Sequence, residues 1–186
     1  MTITRTQIAI VAAIVLVAGA ALYAMGHPLI CKCGTVKLWH FDVVSSENSQ
    51  HIFDWYTPSH IIHGFVFYAL LWLIAPRTSM GFRLILAMLF EASWEVIENT
   101  EYVINQYRET TVALDYYGDS VLNSVSDMLF MIVGFVLAAK WPVWLIVVLA
   151  IALEVFTGLM IRDGLALNVI MLLWPSEAIL QWQNAR

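Results

Sequence analysis

Residues 7–25, QIAIVAAIVLVAGAALYAM, contain no charged side chain, and five further long apolar stretches follow at 58–76, 83–104, 119–139, 142–161 and 164–183. A stretch of about 20 apolar residues is what an α-helix needs to cross a hydrocarbon core of about 30 Å. Inside lipid only helices and closed barrels satisfy every backbone hydrogen bond. The stretches are continuous rather than alternating in period two, which excludes a barrel. Charged residues make up 12% of the chain, about half the usual share in a soluble domain. The expected fold is therefore all-α, a polytopic transmembrane helical bundle of about six spans forming a single domain over 1–186. The first run exceeds the apolar core of a signal peptide, so an uncleaved anchor is expected. The sixth is interrupted by Pro175, Ser176 and Glu177. It either spans with a kink or dips in and finishes as an interfacial helix.

The net charge of −5 comes without any basic cluster, so no nucleic-acid partner is expected. Arg5, Arg77, Arg83, Lys140 and Arg186 sit in short flanks on one side of this topology. Asp42, Glu47, Asp54, Glu109, Asp115 and Asp163 fall on the other. The positive-inside rule then places the N-terminus in the cytoplasm, and six spans return the C-terminus there too. Two loops face outward, an ordered one at 26–57 and a second at about 105–118. Trp55, Tyr56, Tyr102, Tyr107, Tyr116 and Tyr117 suit an outer interfacial belt, and Trp141, Trp144 and Trp182 an inner one.

Three spans carry polar side chains in helical register. His60 and His63 stand three apart near the start of the second span. Glu91, Glu95 and Glu98 form a stripe on the third, and Asp119, Asn123, Ser126 and Asp127 one on the fourth. Asp127 lies about 12 Å deeper than Asp119 at the rise of an α-helix, level with Glu91. The three stripes therefore meet at a common height if they face inward. A charged acid at mid-helix costs roughly 2.5–3.5 kcal/mol to insert, so these acids require partners. No lysine or arginine lies among them; protonation, the imidazoles or a bound cation would have to supply the compensation.

Neutral imidazoles with carboxylates suit zinc, manganese or iron. On this reading His60, His63, Glu95 and Asp127 are metal ligands, Glu91 or Glu98 is a general base, and Asp119 and Asn123 line the same pocket. Asp119 equally fits a helix N-cap and nothing more, and the remaining acids a proton-sharing network that ties helices together. Ionisable groups within a membrane mark functional sites by default. Acids and imidazoles at headgroup depth suggest an enzyme acting on a membrane lipid or lipid-linked envelope substrate. A metal-ion or proton transporter is the alternative, with Glu154 and Glu177 as its only continuation toward the other side. A structural or assembly factor without catalysis is a third. The glutamates and histidines sit on different spans, so the Glu-x-x-His pattern of ferritin-like di-iron sites is absent.

Cys31 and Cys33, in CKCG, are the only thiols. They form a disulfide, stay free, or ligate zinc with His27 and His40, the first two being preferred. The blocks ICKCGTVKLWH, SSENSQHIFDWYTPSHIIHGF, EASWEVIENT, GDSVLNSVSDM and IRDGLALNVIMLLWPSEAI resemble the bacterial membrane family UPF0314, or DUF2585. The E-x3-E helix followed by a D-x3-N helix is also similar, over a short stretch, to VanZ-like proteins. The first resemblance implies a multi-pass protein of the bacterial inner membrane and carries no residue roles with it. It draws attention to Asn48, Gln50, His51 and Asp54, either a polar lid over the pocket or an ordered, hydrogen-bonded loop.

Overall fold

The computed structural model describes residues 3–110 and 115–185. Residues 111–114 of the second outward loop and Arg186, one of the flanking cations, lie outside the described residues. Eight helices run in chain order: α1 (Arg5–Ala24), α2 (Thr57–Ile74), α3 (Met80–Glu98), α4 (Glu101–Thr110), α5 (Val121–Lys140), α6 (Val143–Ile161), α7 (Leu165–Leu173) and α8 (Glu177–Asn184). Four of them, α1, α2, α5 and α6, are long and apolar enough to cross a membrane. α3 is 19 residues long, but Arg83 and its three glutamates set it apart from that group.

Local chemistry fixes the helix starts. Thr4 and Gln7 make a reciprocal capping box on α1. The Ser79 hydroxyl accepts from the Phe82 N–H at 3.2 Å and the Ser120 hydroxyl from the Asn123 N–H at 3.1 Å, each satisfying an otherwise orphaned amide. Pro58 opens α2, where its missing N–H costs nothing. α1, α2, α3 and α5 pack together around Leu71, Leu84, Ala87, Met88, Met131 and Phe135. This apolar block fills the half of the bundle that holds the end of α2 and the start of α3. The other half, at the starts of α2 and α5, is polar and forms the site end of the bundle.

α2 and α5 touch backbone to backbone. A Cβ on Gly64 would overlap the Met131 carbonyl oxygen, and one on Gly134 the Ile61 carbonyl oxygen. Two glycines thus set the distance between these helices, the close approach that small residues permit in membrane bundles. α6 is apolar around its circumference and mostly uncovered, as a lipid-facing helix would be.

Two expected spans change. The third does not continue to residue 104: it stops at Asn99, and α4 begins at Glu101. The reason is that the Asn99 side chain turns back to donate to the Glu95 carbonyl oxygen at 2.9 Å, and the chain restarts as an amphipathic helix burying Val103, Ile104, Tyr107 and Thr110. The first part of the expected loop at 105–118, residues 105–110, is therefore helical. The sixth segment is divided rather than one long helix. α7 and α8 have nine and eight residues, and nine residues rise only about 14 Å. Arg162 donates to the Trp182 carbonyl oxygen at 2.8 Å and the Gln183 amide donates to the Arg162 carbonyl oxygen at 3.0 Å. The α7–α8 hairpin consequently returns to the end of α6 from which it left. That end packs with the site end, where Ile161 lies against Val43 and Trp55 and Tyr56 donates to Asp163 at 3.0 Å. The chain is thus followed to Ala185 at the site end, not at the end that holds Lys140.

Candidate functional site

Each stripe read from the sequence is placed by a different helix. Asp54 accepts from the N–H groups of Tyr56 and Thr57 at 2.7 and 3.1 Å and so caps α2. That cap directs His60 and His63 inward, one turn down. Their neighbours are Glu91 and Glu95 of α3, both with no exposed surface. His60 Nδ1 lies 2.7 Å from Glu91 Oε1, and His63 Nδ1 lies 3.0 Å from Glu91 Oε2. Glu95 Oε1 is 3.4 Å from His60 Nδ1, and Asp127 of α5 is 3.8 Å from His60 Nε2. His60 is the hub, its two nitrogens facing acids on two helices.

Two overlapping ligand sets result. One is His60, His63 and Glu91, the other His60, Glu95 and Asp127, and within each set one donor atom per residue lies within 4.8 Å of the others. The donor types, imidazole and carboxylate, suit a borderline divalent ion. Neither Glu95 oxygen has a hydrogen-bond partner among the described residues, although His60 stands at ion-pair distance from one of them. A buried carboxylate without hydrogen bonds is costly unless a proton or a cation accompanies it. Glu91, expected from the sequence as a base, sits between the two imidazoles in a ligand position. Glu98 is half-buried at the end of α3 and hydrogen-bonds Tyr107 of α4.

Asp119 and Asn123 belong to an adjoining network. The helix N-cap is Ser120 rather than Asp119. Asp119 accepts from Asn99 Nδ2 at 2.8 Å and from the Tyr116 hydroxyl at 3.0 Å, and its own N–H donates to Asn99 Oδ1 at 2.6 Å. Gly118 makes this possible, because its φ of +87° and its contact with the His27 ring leave no room for a side chain. The His27 ring lies between the Asn99 and Asp119 carbonyl oxygens, 2.9 and 3.1 Å away. Burial beside Asp119 pushes the Tyr116 hydroxyl well above its usual range, so it stays protonated and can only donate to that carboxylate. Asn123 donates to the His51 carbonyl oxygen at 2.8 Å.

The segment above the site is an ordered, hydrogen-bonded loop. Gln50 donates to the Gly118 carbonyl oxygen at 2.7 Å, and Ser120 donates to that of Gln50 at 3.0 Å. Cys31 and Cys33 are disulfide-bonded. Asn48 faces a small polar chamber together with Glu98, Asp119 and Asp127. A second opening, a groove of about 430 Å³ between α2, α3 and α7, runs past Phe67, Leu70, Phe90 and Leu172 to His60 and His63. Glu154 does not lead onward: its carboxylate accepts from the Leu165 and Ala166 N–H groups at 2.9 and 3.0 Å and caps α7. Glu177 is exposed in the first turn of α8.

Sequence reasoning missed Asn99, Tyr107 and Asn168. Asn99 was within reach, since it follows Glu91 and Glu95 on the same helical face. Asn168 of α7 was not, because nothing in the sequence brings α7 to α2.

The family model described as "Protein of unknown function (DUF2585)" matches residues 22–185. A UPF0314 protein of Paracoccus denitrificans is 59% identical over 172 residues, covering 92% of this chain and 89% of that protein. One from Rhizobium etli is 57% identical over 164 residues, covering 88% and 84% respectively. One from Sphingopyxis alaskensis is 52% identical over 181 residues, covering 97% and 96%. No solved structure matches the chain.

Proposed function

The chain belongs to the DUF2585 (UPF0314) family, and we propose that this member is a multi-pass enzyme of the bacterial inner membrane that uses a divalent metal to act on a lipid or lipid-linked substrate. The observation that carries the reading is the junction of a buried two-histidine, three-carboxylate cluster with an apolar groove between α2, α3 and α7. A laterally diffusing chain can reach such a cluster without leaving the bilayer. His60, His63 and Glu91 hold the ion, with Glu95 and Asp127 completing or adjusting its surroundings. A divalent ion so held supplies Lewis acidity and lowers the pKa of bound water. Glu98, bordering both chamber and groove, is placed to take a proton from a group at their junction, and Tyr107 orients it.

Transport is less well supported. Beneath His60 and Glu91 the bundle is filled by Ala87, Met88, Met131 and Phe135, and the acid closest to a continuation, Glu154, is engaged as a helix cap. The decisive measurement is metal content of protein purified in nanodiscs, together with lipid profiles of a deletion strain complemented by variants. The expected result is one stoichiometric divalent ion, lost in His60→Ala and His63→Ala, with an altered lipid species restored only by the intact chain. Metal-free wild-type protein with His60→Ala complementing fully would overturn the proposal.

A further inference from the structure

The chamber and the groove meet at the same side chains but differ in kind. Tyr56, His60, Glu98, Tyr107 and Asn168 border both. The groove is walled by aromatic and aliphatic groups, with Trp94 along it, and its volume of about 430 Å³ falls within the range of small-molecule sites. The chamber is about 30 Å³, room for about two waters. Every side chain lining it carries a polar group, and neither lining contains a lysine or arginine. One side chain in the chamber is unmatched: Asn48 is 3% exposed, and neither its amide nitrogen nor its oxygen has a partner among the described residues. An interior amide with both ends unpaired calls for polar partners: a hydroxyl can serve both its nitrogen and its oxygen, and an ammonium can serve its oxygen.

Charge decides what kind of ligand. Glu91, Glu95, Glu98, Asp119 and Asp127 bring five carboxylates to this end of the bundle, joined by the buried Asp54 and Asp163, against the imidazoles of His60 and His63. One divalent ion would leave acid in excess, and at low dielectric like charges repel strongly. We infer, on the basis of the enzyme reading above, that the substrate is a single-chain amphiphile whose compact head hydrogen-bonds without negative charge, an amine or an alcohol rather than a phosphate, carboxylate or sugar. The chain lies in the groove beside Trp94, and the head enters the chamber between Asn48 and Glu98.

The test uses full-length protein in nanodiscs and alkyl probes brominated at the chain end, which quench nearby tryptophan. Five heads are compared: amine, alcohol, phosphate, carboxylate and glucoside. Subtracting the quenching of Trp94→Phe removes the contribution of lipid-facing tryptophans such as Trp72 and Trp144. The amine and alcohol are expected to give saturable, Trp94-dependent quenching about tenfold tighter than the phosphate and carboxylate. Asn48→Leu, which keeps the branched shape and removes both hydrogen-bonding groups, should weaken both several-fold while metal content stays at the wild-type level. Phosphate, carboxylate or glucoside binding as well as the amine overturns the assignment of the head. Absence of Trp94-dependent quenching for every probe overturns the groove. Both outcomes are separate from failure of the enzyme reading, which shows as metal-free protein and an unchanged lipid profile.

Discussion

At the scale of single residues, Glu95 is the sharpest test of what the buried acids hold. Its carboxylate is fully buried, has no hydrogen bond among the described residues and faces His60 and Asp127. Glu95→Gln keeps the shape and removes the charge. If a cation holds the carboxylate, metal affinity should fall by about 10–100-fold, the size found when groups around a metal ligand are changed. If the acid is merely protonated, the amide should leave both affinity and melting temperature unchanged, and the metal assignment at Glu95 fails. A second residue-scale prediction concerns pH in the segment above the site. Burial, reinforced by the Lys37 charge, lowers the pKa of His40 below its ordinary 6.5, so the folded segment favours the neutral ring. That contribution is complete above about pH 6.5 and drains away as pH falls below it. Glu47, hydrogen-bonded by Lys37 and His51, is depressed to about 2 from 4.5, so its contribution persists lower and is lost between those values. Hydrogen exchange of peptides spanning 37–55, corrected for the intrinsic pH dependence, should loosen in two stages, and His40→Gln should erase only the first. An unchanged profile in that variant would contradict the role given to His40.

At the scale of elements, the stripes on α2, α3 and α5 were readable because 3.6-residue periodicity puts Glu91, Glu95 and Glu98, or Asn123 and Asp127, on one face whatever surrounds them. Depth was readable too, since a constant rise converts sequence offset into height. What could not be read was the partner of each face. Glu91 fell between the two histidines, and Asp119 into a separate knot with Asn99 and Tyr116, for reasons of helix rotation that no single stretch encodes. The glycines that let α2 and α5 approach, Gly64 and Gly134, lie far apart in sequence. Gly134 begins a small-xxx-small motif with Ala138, but Gly64 has no such companion in α2, so neither stretch announces the other. Gly134→Ala should push α5 away from the Ile61 carbonyl oxygen, and overpacking of this kind costs about 1–3 kcal/mol. Because His60 and Asp127 ride on the two helices that Gly64 and Gly134 bring together, the same change should lower both thermal stability and metal occupancy. Loss of stability with full occupancy would show that α2 and α5 do not need this contact to assemble the site.

At the scale of the whole molecule, the sequence pattern counts six apolar stretches, and that count returns the last of them to the side where the chain began. Apolar length alone could not separate a span from a hairpin, because LALNVIMLLW is as hydrophobic as a span and the short break at Pro175, Ser176 and Glu177 fits a kink as well as a turn. The difference is made by polar contacts at the base: Arg162 and Gln183 join the two ends of the hairpin, Glu154 caps α7, and Asp163 receives the Tyr56 hydroxyl. These bonds hold the hairpin at the site end, beside the groove whose wall Leu165, Val169 and Leu172 complete. Broken helices at membrane depth are tolerated where they line such a cavity. The consequence is a topology that labelling can read directly. In a Cys31→Ser, Cys33→Ser background, a cysteine introduced by Ala185→Cys should react with a membrane-impermeant maleimide on the same side as one introduced by Phe41→Cys. One introduced by Ala139→Cys, beside Lys140, should react only from the opposite side. If Ala185→Cys instead labels together with Ala139→Cys, the last segment crosses the bilayer. The groove would then lose the α7 wall that gives it capacity for a single chain.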